Sequence, residues 1–265
     1  MNKRLAILLA ALAALVSCSV KEDRSRCPVL LYVPEGFNAH RLSGSCEFYA
    51  YEDGCGRLSQ CEYGDLASLR SGWGPLSVSK GETCVAFVGG AVNMKLASDS
   101  LLVIPYGCQA DAAVAARDHF ETYAERWNVR DSLFRQYARM TVRMLSPQYS
   151  VRVKGTWCGF ALRSLRPIAG DFCYVPVNRG DGVFEANLPR QGDDSLLLEV
   201  WGSDSSGGSS RLLDTLPLGQ YVSLTGYDWT ARDLGPVEVA LDFVRSTVSI
   251  TVNDWTEVYK IIVTI

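Results

Sequence analysis

The sequence predicts an all-β chain of two successive β-rich halves, with a short helical segment between them or packed on the first. Three observations predict it. Short apolar runs are punctuated throughout by Gly, Pro, Asn, Asp and Ser, as antiparallel sandwiches read. Near the C-terminus, Val248, Ile250 and Val252 alternate with Ser249 and Thr251, and Tyr259, Ile261, Val263 and Ile265 continue the period of two expected of half-buried strands. Between the halves, Ala110 to Gln136 is Ala-rich, charged and free of Gly and Pro; it reads as one or two helices starting at Asp111 or Asp131.

Residues 1–17 have the layout of an export signal: Lys3 and Arg4, the apolar run Leu5 to Val16, then Ser17 before Cys18. A membrane-spanning helix needs about 20 apolar residues, so this run is too short for a permanent span. Leu15-Val16-Ser17-Cys18 has the form of a bacterial lipobox, with cleavage between Ser17 and Cys18 and acyl chains of the palmitate type on the Cys18 thiol. The alternative is an ordinary secretory signal that ends near a cysteine; the run length, the small Ser17 and the polar stretch after Cys18 favour the lipobox. Two or more acyl chains hold a protein firmly, because each buried methylene contributes about 0.8 kcal/mol.

After a polar stem at 18–27, the first half, 28–134, offers strands at Val29–Val33, Cys46–Tyr51, Thr83–Val88 and Leu101–Ile104. Gly54, Gly72, Gly74 and Gly89-Gly90 mark turns between them. The second half, 135–265, offers Arg139–Leu145, Tyr149–Lys154, Gly182–Leu188, Ser195–Trp201, Arg211–Pro217, Val237–Phe243, Thr247–Val252 and Val258–Ile265. If the helical segment packs across the first half, the boundary moves a few residues later.

Composition excludes several functions. Removing residues 1–17 takes Lys3 and Arg4 from the 26 basic residues and none of the 29 acidic ones, so the formal charge moves from -3 to -5. No cluster of Lys and Arg remains to meet phosphates, so no nucleic-acid partner is expected. The only histidines, His40 and His119, have no evident partners in sequence, and surface placement is the better reading for both. A histidine-based triad is therefore not expected. Cys55 and Cys61 lie close together beside Gly54 and Gly56, but no second close pair completes a tetrahedral metal site. A bridge or two free thiols fits them better.

With Cys18 lipidated, Cys27, Cys46, Cys55, Cys61, Cys84, Cys108, Cys158 and Cys173 remain. Envelope proteins can form disulfides, but spacing does not fix pairing, and buried free thiols are equally compatible. Asp193-Asp194 and Asp204 read as turn residues rather than paired hydrolytic carboxylates. Gly207-Gly208 reads as a hairpin tip, since no apolar helix follows it to cradle phosphate. Trp229 and Trp255, in the triplets Asp228-Trp229-Thr230 and Asp254-Trp255-Thr256, read as buried aromatics before sugar-stacking ones. No enzymatic activity, cofactor, metal or small-molecule substrate is expected.

Three sets of segments carry a family resemblance: Val20-Lys21-Glu22-Asp23-Arg24-Ser25-Arg26-Cys27-Pro28 close behind Cys18; Arg135-Gln136-Tyr137-Ala138-Arg139-Met140-Thr141-Val142 with Tyr149-Ser150-Val151-Arg152-Val153; and Leu216-Pro217-Leu218-Gly219-Gln220-Tyr221 leading to Val237–Phe243 and Val252-Asn253-Asp254-Trp255. In this order the chain resembles the FimB-type fimbrial anchor lipoproteins, the fimbrillin-associated family of Bacteroidales type V pili. The resemblance spans the mature chain. It implies two tandem transthyretin-like β-sandwiches and a mechanical role: tethering a pilus to the outer membrane, at the cell surface, and limiting its length.

It further implies that the partner is a fimbrial stalk subunit joined by strand addition, in which backbone hydrogen bonds supply affinity and alternate side chains fill pockets. Val258 to Ile265 has that form, with Tyr259, Ile261, Val263 and Ile265 as the candidate subunit-binding residues; an ordinary final strand is the alternative. Stalk subunits of this class look to mature by cleavage after an arginine. Arg24 and Arg26 follow Cys18 closely, and a cut there would release the chain from its lipid, so neither is expected to be processed. The rival readings are a surface glycan-binding lipoprotein, for which Trp201, Trp229 and Trp255 would form an exposed row, and an envelope hydrolase.

Overall fold

Alternation builds the first strand. In β1 (Arg26–Tyr32), Cys27, Val29 and Leu31 are buried while Arg26 and Pro28 are exposed. The computed structural model describes residues 25–32, 45–52, 54–65, 73–144, 149–203, 210–242, 247–253 and 258–264. The first half continues through β2 (Ser45–Glu52), β3 (Arg57–Asp65), β4 (Trp73–Ser79), β5 (Gly81–Gly89), β6 (Lys95–Ser98), β7 (Leu101–Val103), β8 (Val114–Thr122), β9 (Trp127–Arg130) and β10 (Phe134–Arg135). Two sheets result, a three-stranded one in the order β4-β1-β9 and a five-stranded one in the order β10-β8-β5-β2-β3. Their facing surfaces enclose a core of Cys27, Val29, Leu31, Phe48, Leu76, Val78, Val85, Phe87, Phe120 and Val129, with Phe48 and Phe87 edge to face at 5.5 Å.

The second half comprises β11 (Tyr137–Met144), β12 (Tyr149–Ala161), β13 (Pro167–Tyr174), β14 (Val177–Gly180), β15 (Val183–Pro189), β16 (Leu197–Ser203), β17 (Ser210–Leu216), the helix α1 (Leu218–Leu224), β18 (Val237–Asp242), β19 (Thr247–Asn253) and β20 (Val258–Thr264). One sheet runs β14-β15-β11-β18-β19-β20 and the other β17-β16-β12-β7-β6, with β13 also paired to β12. Between them lies a core that includes Met140, Val142, Val151, Val153, Phe172, Leu198, Val200, Val237, Val239 and Leu241. The chain is nearly all β and forms sandwiches, as the strand pattern predicts.

The two halves share a strand ladder. β12 is 13 residues long. Its first part pairs antiparallel with β16, and its last part, Gly159 to Ala161, pairs antiparallel with β7. That brings a second core, with Tyr49, Tyr51, Cys84, Ala86, Val88, Leu102, Ile104, Ala113, Ala115, Phe160 and Leu162, onto the other face of the five-stranded sheet.

The helical expectation for Ala110 to Gln136 is corrected here, because this stretch forms β8, β9 and β10, with neither Asp111 nor Asp131 starting a helix. The physical reason is the second core. β8 is a central strand whose start is buried on both faces, with Val114, Ala115 and Ala116 all buried, so alternation is lost there and small alanines fit where two cores converge, while from Arg117 onward exposed and buried residues alternate. Tertiary packing overrides the helix propensity of alanine. Asp111 instead caps a turn, accepting the backbone N–H groups of Val92, Asn93 and Met94 at 2.7–2.8 Å.

The short helix is elsewhere. α1 follows Pro217 and buries Leu218, Gly219 and Val222. A Cβ on Gly219 would meet the Asp194 carbonyl oxygen at 2.4 Å, so the helix lies directly on the backbone of residues 193–196. Strand expectations at Val29–Val33, Cys46–Tyr51, Thr83–Val88, Leu101–Ile104 and across the second half meet β1, β2, β5, β7, β11, β12 and β15 to β20 with shifts at the ends. The strands β3, β4, β6, β13 and β14 have no counterpart in the sequence reading; no residue of β3, β6 or β14 is buried and only two of β13 are, so no apolar run marks them.

Candidate functional site

Two places in the fold are candidates: the β20 edge of the second half, which has no further strand beside it among the described residues, and the cleft where the halves meet. At the edge, register is continuous across four strands. Val142 of β11 lies opposite Val239 of β18, Val239 opposite Ile250 of β19, and Ile250 opposite Ile261 of β20. Parallel rows run Met140, Val237, Val252, Tyr259 and Met144, Leu241, Val248, Val263. Met140, Val142, Val237, Val239 and Leu241 are all at most 1% exposed. Three of the four predicted strand-addition residues therefore occupy register positions in line with the rows that build the core; Ile265 lies outside the described residues.

Among the described residues β20 has one sheet neighbour, β19, paired antiparallel over seven consecutive positions without a bulge. Its other side is a row of backbone donors and acceptors at a sheet edge, the feature that accepts an added strand. Ser17 and Cys18 also lie outside the described residues, as do His40, Asp204, Gly207, Gly208 and Trp255. No helix among the described residues is long and apolar enough to cross a membrane.

The cleft is about 1230 Å³, with Phe134, Trp157, Arg166, Arg190, Asp193 and Trp229 among its lining residues. Its floor is set by Arg190, which is only 6% exposed. The guanidinium Nη1 donates to the carbonyl oxygens of Trp229 at 2.5 Å and Ala231 at 2.8 Å, and Nε donates to Gln136 Oε1 at 3.3 Å. Burial holds its pKa below the usual arginine value. This arginine is a structural clamp on residues 229–232, a role invisible in sequence because its acceptors lie about forty residues away.

Several other charges of the cleft are matched as well. Arg232 donates to both oxygens of Asp131 at 2.7 Å and lies 4.0 Å over the Phe134 ring. Asp193 accepts the Ser195 N–H at 2.9 Å, and Ser223 donates to Asp194, so the acidic pair serves its own turn, as the sequence reading has it. The Ser195 hydrogen bonds hold Asp193 below the usual carboxylate range.

Trp229 is 8% exposed, with its ring edge-on to Tyr227 at 4.7 Å. The Trp201 ring is covered by Arg152 at 4.3 Å, and its Nε1 donates to Glu199 at 3.0 Å. These two tryptophans do not form an exposed row. His119 is exposed on β8 and pairs with Glu82 across the ladder, Nε2 to Oε1 at 3.0 Å, a partner that sequence spacing does not reveal. Among the described residues no group of three or more His, Cys, Asp or Glu is arranged to hold a metal ion.

No family model matches the chain, and no curated protein sequence matches it. Solved structures do. The fimbrial anchor protein Mfa2 from Porphyromonas gingivalis superimposes with a TM-score of 0.59 at 14% identity, covering 86% of this chain and 98% of its own. A Bacteroides thetaiotaomicron protein described as polysaccharide-binding gives 0.61 at 14% identity, covering 89% and 98%. A Bacteroides ovatus protein described as an adhesin gives 0.57 at 13% identity, covering 92% and 97%. The shared fold runs nearly end to end, and it includes the fold of a fimbrial anchor, the class the sequence resembles.

Proposed function

We propose that this chain is the anchoring subunit of a surface fimbria, held in the outer membrane by lipid on Cys18 and joined to the first stalk subunit by strand addition at the β20 edge. The observation that carries this reading is the register of β20: an unbulged terminal strand whose positions 259, 261 and 263 continue the core rows of the sheet to its edge. An added strand either extends β20 or replaces it against β19, and both routes use the same apolar spacing. The end-to-end likeness to Mfa2 supports the reading, and the lipobox around Cys18 supplies the tether. In this reading the chain has a stem at 18–27 and sandwich units at 28–134 and 135–265, the first of which lends β6 and β7 to a sheet of the second. A subunit fixed at the base of a fibre also caps its growth, which gives the limit on length.

The proposed role is mechanical rather than catalytic, in keeping with a cleft in which Arg190, Arg232, Asp131, Asp193 and Asp194 are tied to one another, to hydroxyls or to backbone. Binding of a surface glycan is the second reading, supported by the description of the B. thetaiotaomicron structure and by the volume of the cleft. The test is expression in a fimbriated host with Cys18 intact or changed to Ala, followed by crosslinking and mass spectrometry. Anchoring requires crosslinks to stalk subunits and release of fibres into the medium by Cys18→Ala. Retention on polysaccharide with no stalk subunit crosslinked would replace it with the glycan reading.

A further inference from the structure

We propose that Cys55 and Cys84 form a disulfide that closes the tip of the β2–β3 hairpin onto β5. The two cysteines are 29 positions apart, and the sequence places Cys55 closer to Cys61. The fold separates that nearer pair: Cys61 sits within β3 opposite Tyr49, with its thiol hydrogen-bonded to Tyr63. Cys55 occupies the turn before β3, at φ +65°, and there its side chain reaches Cys84 on β5, with the two thiols hydrogen-bonded to each other.

Independent contacts fix this approach. The Gly56 N–H donates to the Glu52 carbonyl at 3.0 Å, closing the turn, and a Cβ on Gly54 would stand 3.4 Å from Glu82 Oε2, so the turn lies over β5. Arg163, from the second half, holds the turn from outside. Its Nη1 donates to the Cys55 carbonyl at 2.7 Å, and the Cys84 thiol points at the Arg163 carbonyl at 4.0 Å. Both sulfurs therefore meet in one small space bounded by three segments, and they share it because of the fold rather than because of chain proximity. Thiols in hydrogen-bonding contact still stand farther apart than the roughly 2.05 Å of a disulfide, so the bridge forms by a short closing movement of the two sulfurs.

The chemistry assigns roles. Cys55 is half-buried and Cys84 is 2% exposed. A disulfide oxidant from solution reaches Cys55 first: its thiolate attacks one sulfur of the oxidant, a mixed disulfide forms, and the other oxidant sulfur leaves as a thiol. Cys84 then attacks the Cys55 sulfur and expels the second oxidant thiol. The two protein thiols lose two electrons and two protons, and the oxidant's disulfide becomes two thiols. Burial pushes the Cys84 thiol up to about 12, which disfavours it in the first, bimolecular step and leaves it the second, intramolecular one, where proximity compensates for a scarce thiolate. The proposal draws on the proposed function only for the oxidising envelope in which an exported chain would meet such an oxidant.

The experiment uses the purified full chain, reduced, then equilibrated with oxidised and reduced glutathione, alkylated, digested with trypsin and read by mass spectrometry. Fragmentation is needed because the tryptic peptide 42–57 holds Cys46 as well as Cys55. The expected result is a Cys55–Cys84 linked peptide as the major product, and Cys84→Ala should leave stable glutathione on Cys55. A major product linking Cys55 to Cys61 or Cys108, or both thiols alkylated while other cysteines pair, would overturn it. A second arm takes the protein from its own envelope without reductant. A bridge that forms with glutathione but is absent there counts against the exported location and leaves the geometry standing.

Discussion

Arg135 grips Asp233 with a paired contact, Nε to Oδ1 at 3.0 Å and Nη2 to Oδ2 at 2.6 Å, while its own backbone N–H donates to Oδ1 at 2.8 Å. The two residues are 98 positions apart, and they pin the loop before β18 to the point where the chain passes from β10 to β11. Asp233→Ala removes three hydrogen bonds to one carboxylate, and hydrogen bonds to charged groups contribute about 1.5–3 kcal/mol each before relaxation. With both side chains about one-third exposed, a loss of about 2 kcal/mol is expected in denaturant unfolding.

Arg190 should be less forgiving. Arg190→Met keeps the volume but leaves the Trp229 and Ala231 carbonyls without their donor in a buried setting, a change of about 2–4 kcal/mol. Arg190→Lys is not expected to rescue, because one ammonium cannot span acceptors arranged for a planar fork. Equal stability of the Lys variant and the parent would show that the clamp depends on charge alone.

Acid sensitivity should report on Glu199. Burial alone would raise its pKa, but Lys154 at 2.9 Å and the Trp201 N–H at 3.0 Å outweigh that and hold it below the usual glutamate value. A carboxylate depressed in the folded state contributes stability that is fully present above its unfolded value, about 4.3, and is lost as the pH falls through the folded value. Lys154→Met should lift the Glu199 pKa and move that acid transition to higher pH in a pH titration of the melting temperature. An unchanged transition would mean that Trp201 and the other groups suffice.

Gly159 tests the ladder shared between the halves. A Cβ there would lie 2.0 Å from the Leu102 carbonyl oxygen and 2.8 Å from the Val103 Cα, both backbone atoms. Gly159→Ala should therefore unzip β7 from β12, at about 1–3 kcal/mol. Hydrogen exchange should show faster exchange in β6 and β7 while the ladder between β12 and β16 stays protected.

For the anchoring edge, deleting residues 258–265 should abolish crosslinks to stalk subunits while the lipid on Cys18 keeps the chain in the membrane. Ile261→Pro is the gentler variant, since it removes one ladder donor and leaves the rest of the strand in place. Capture of stalk subunits at the parent level by both variants would rule this edge out.

What could be read from the residues depends on how many faces each segment buries. β11, β15 and β18 announce themselves because one face meets the core and the other does not, and alternation follows. β8 does not, because both its faces are buried over residues 114–116, where its alanines mimic a helix. α1 is concealed for the opposite reason: seven residues are too few for a helical period to stand out from the strand before them.

The sequence by itself determined the all-β class, the run of strands in the second half, the candidate lipid site at Cys18 and the apolar spacing of the last strand, all written in neighbouring residues. Only the tertiary structure decided that residues 95–103 complete a sheet of the second half, that Arg190 clamps the loop at 229–232, and that Cys55 meets Cys84 rather than Cys61. These depend on long-range register and on two cores meeting across one sheet. Local periodicity encodes how a strand faces its own core, but not which distant strand completes it.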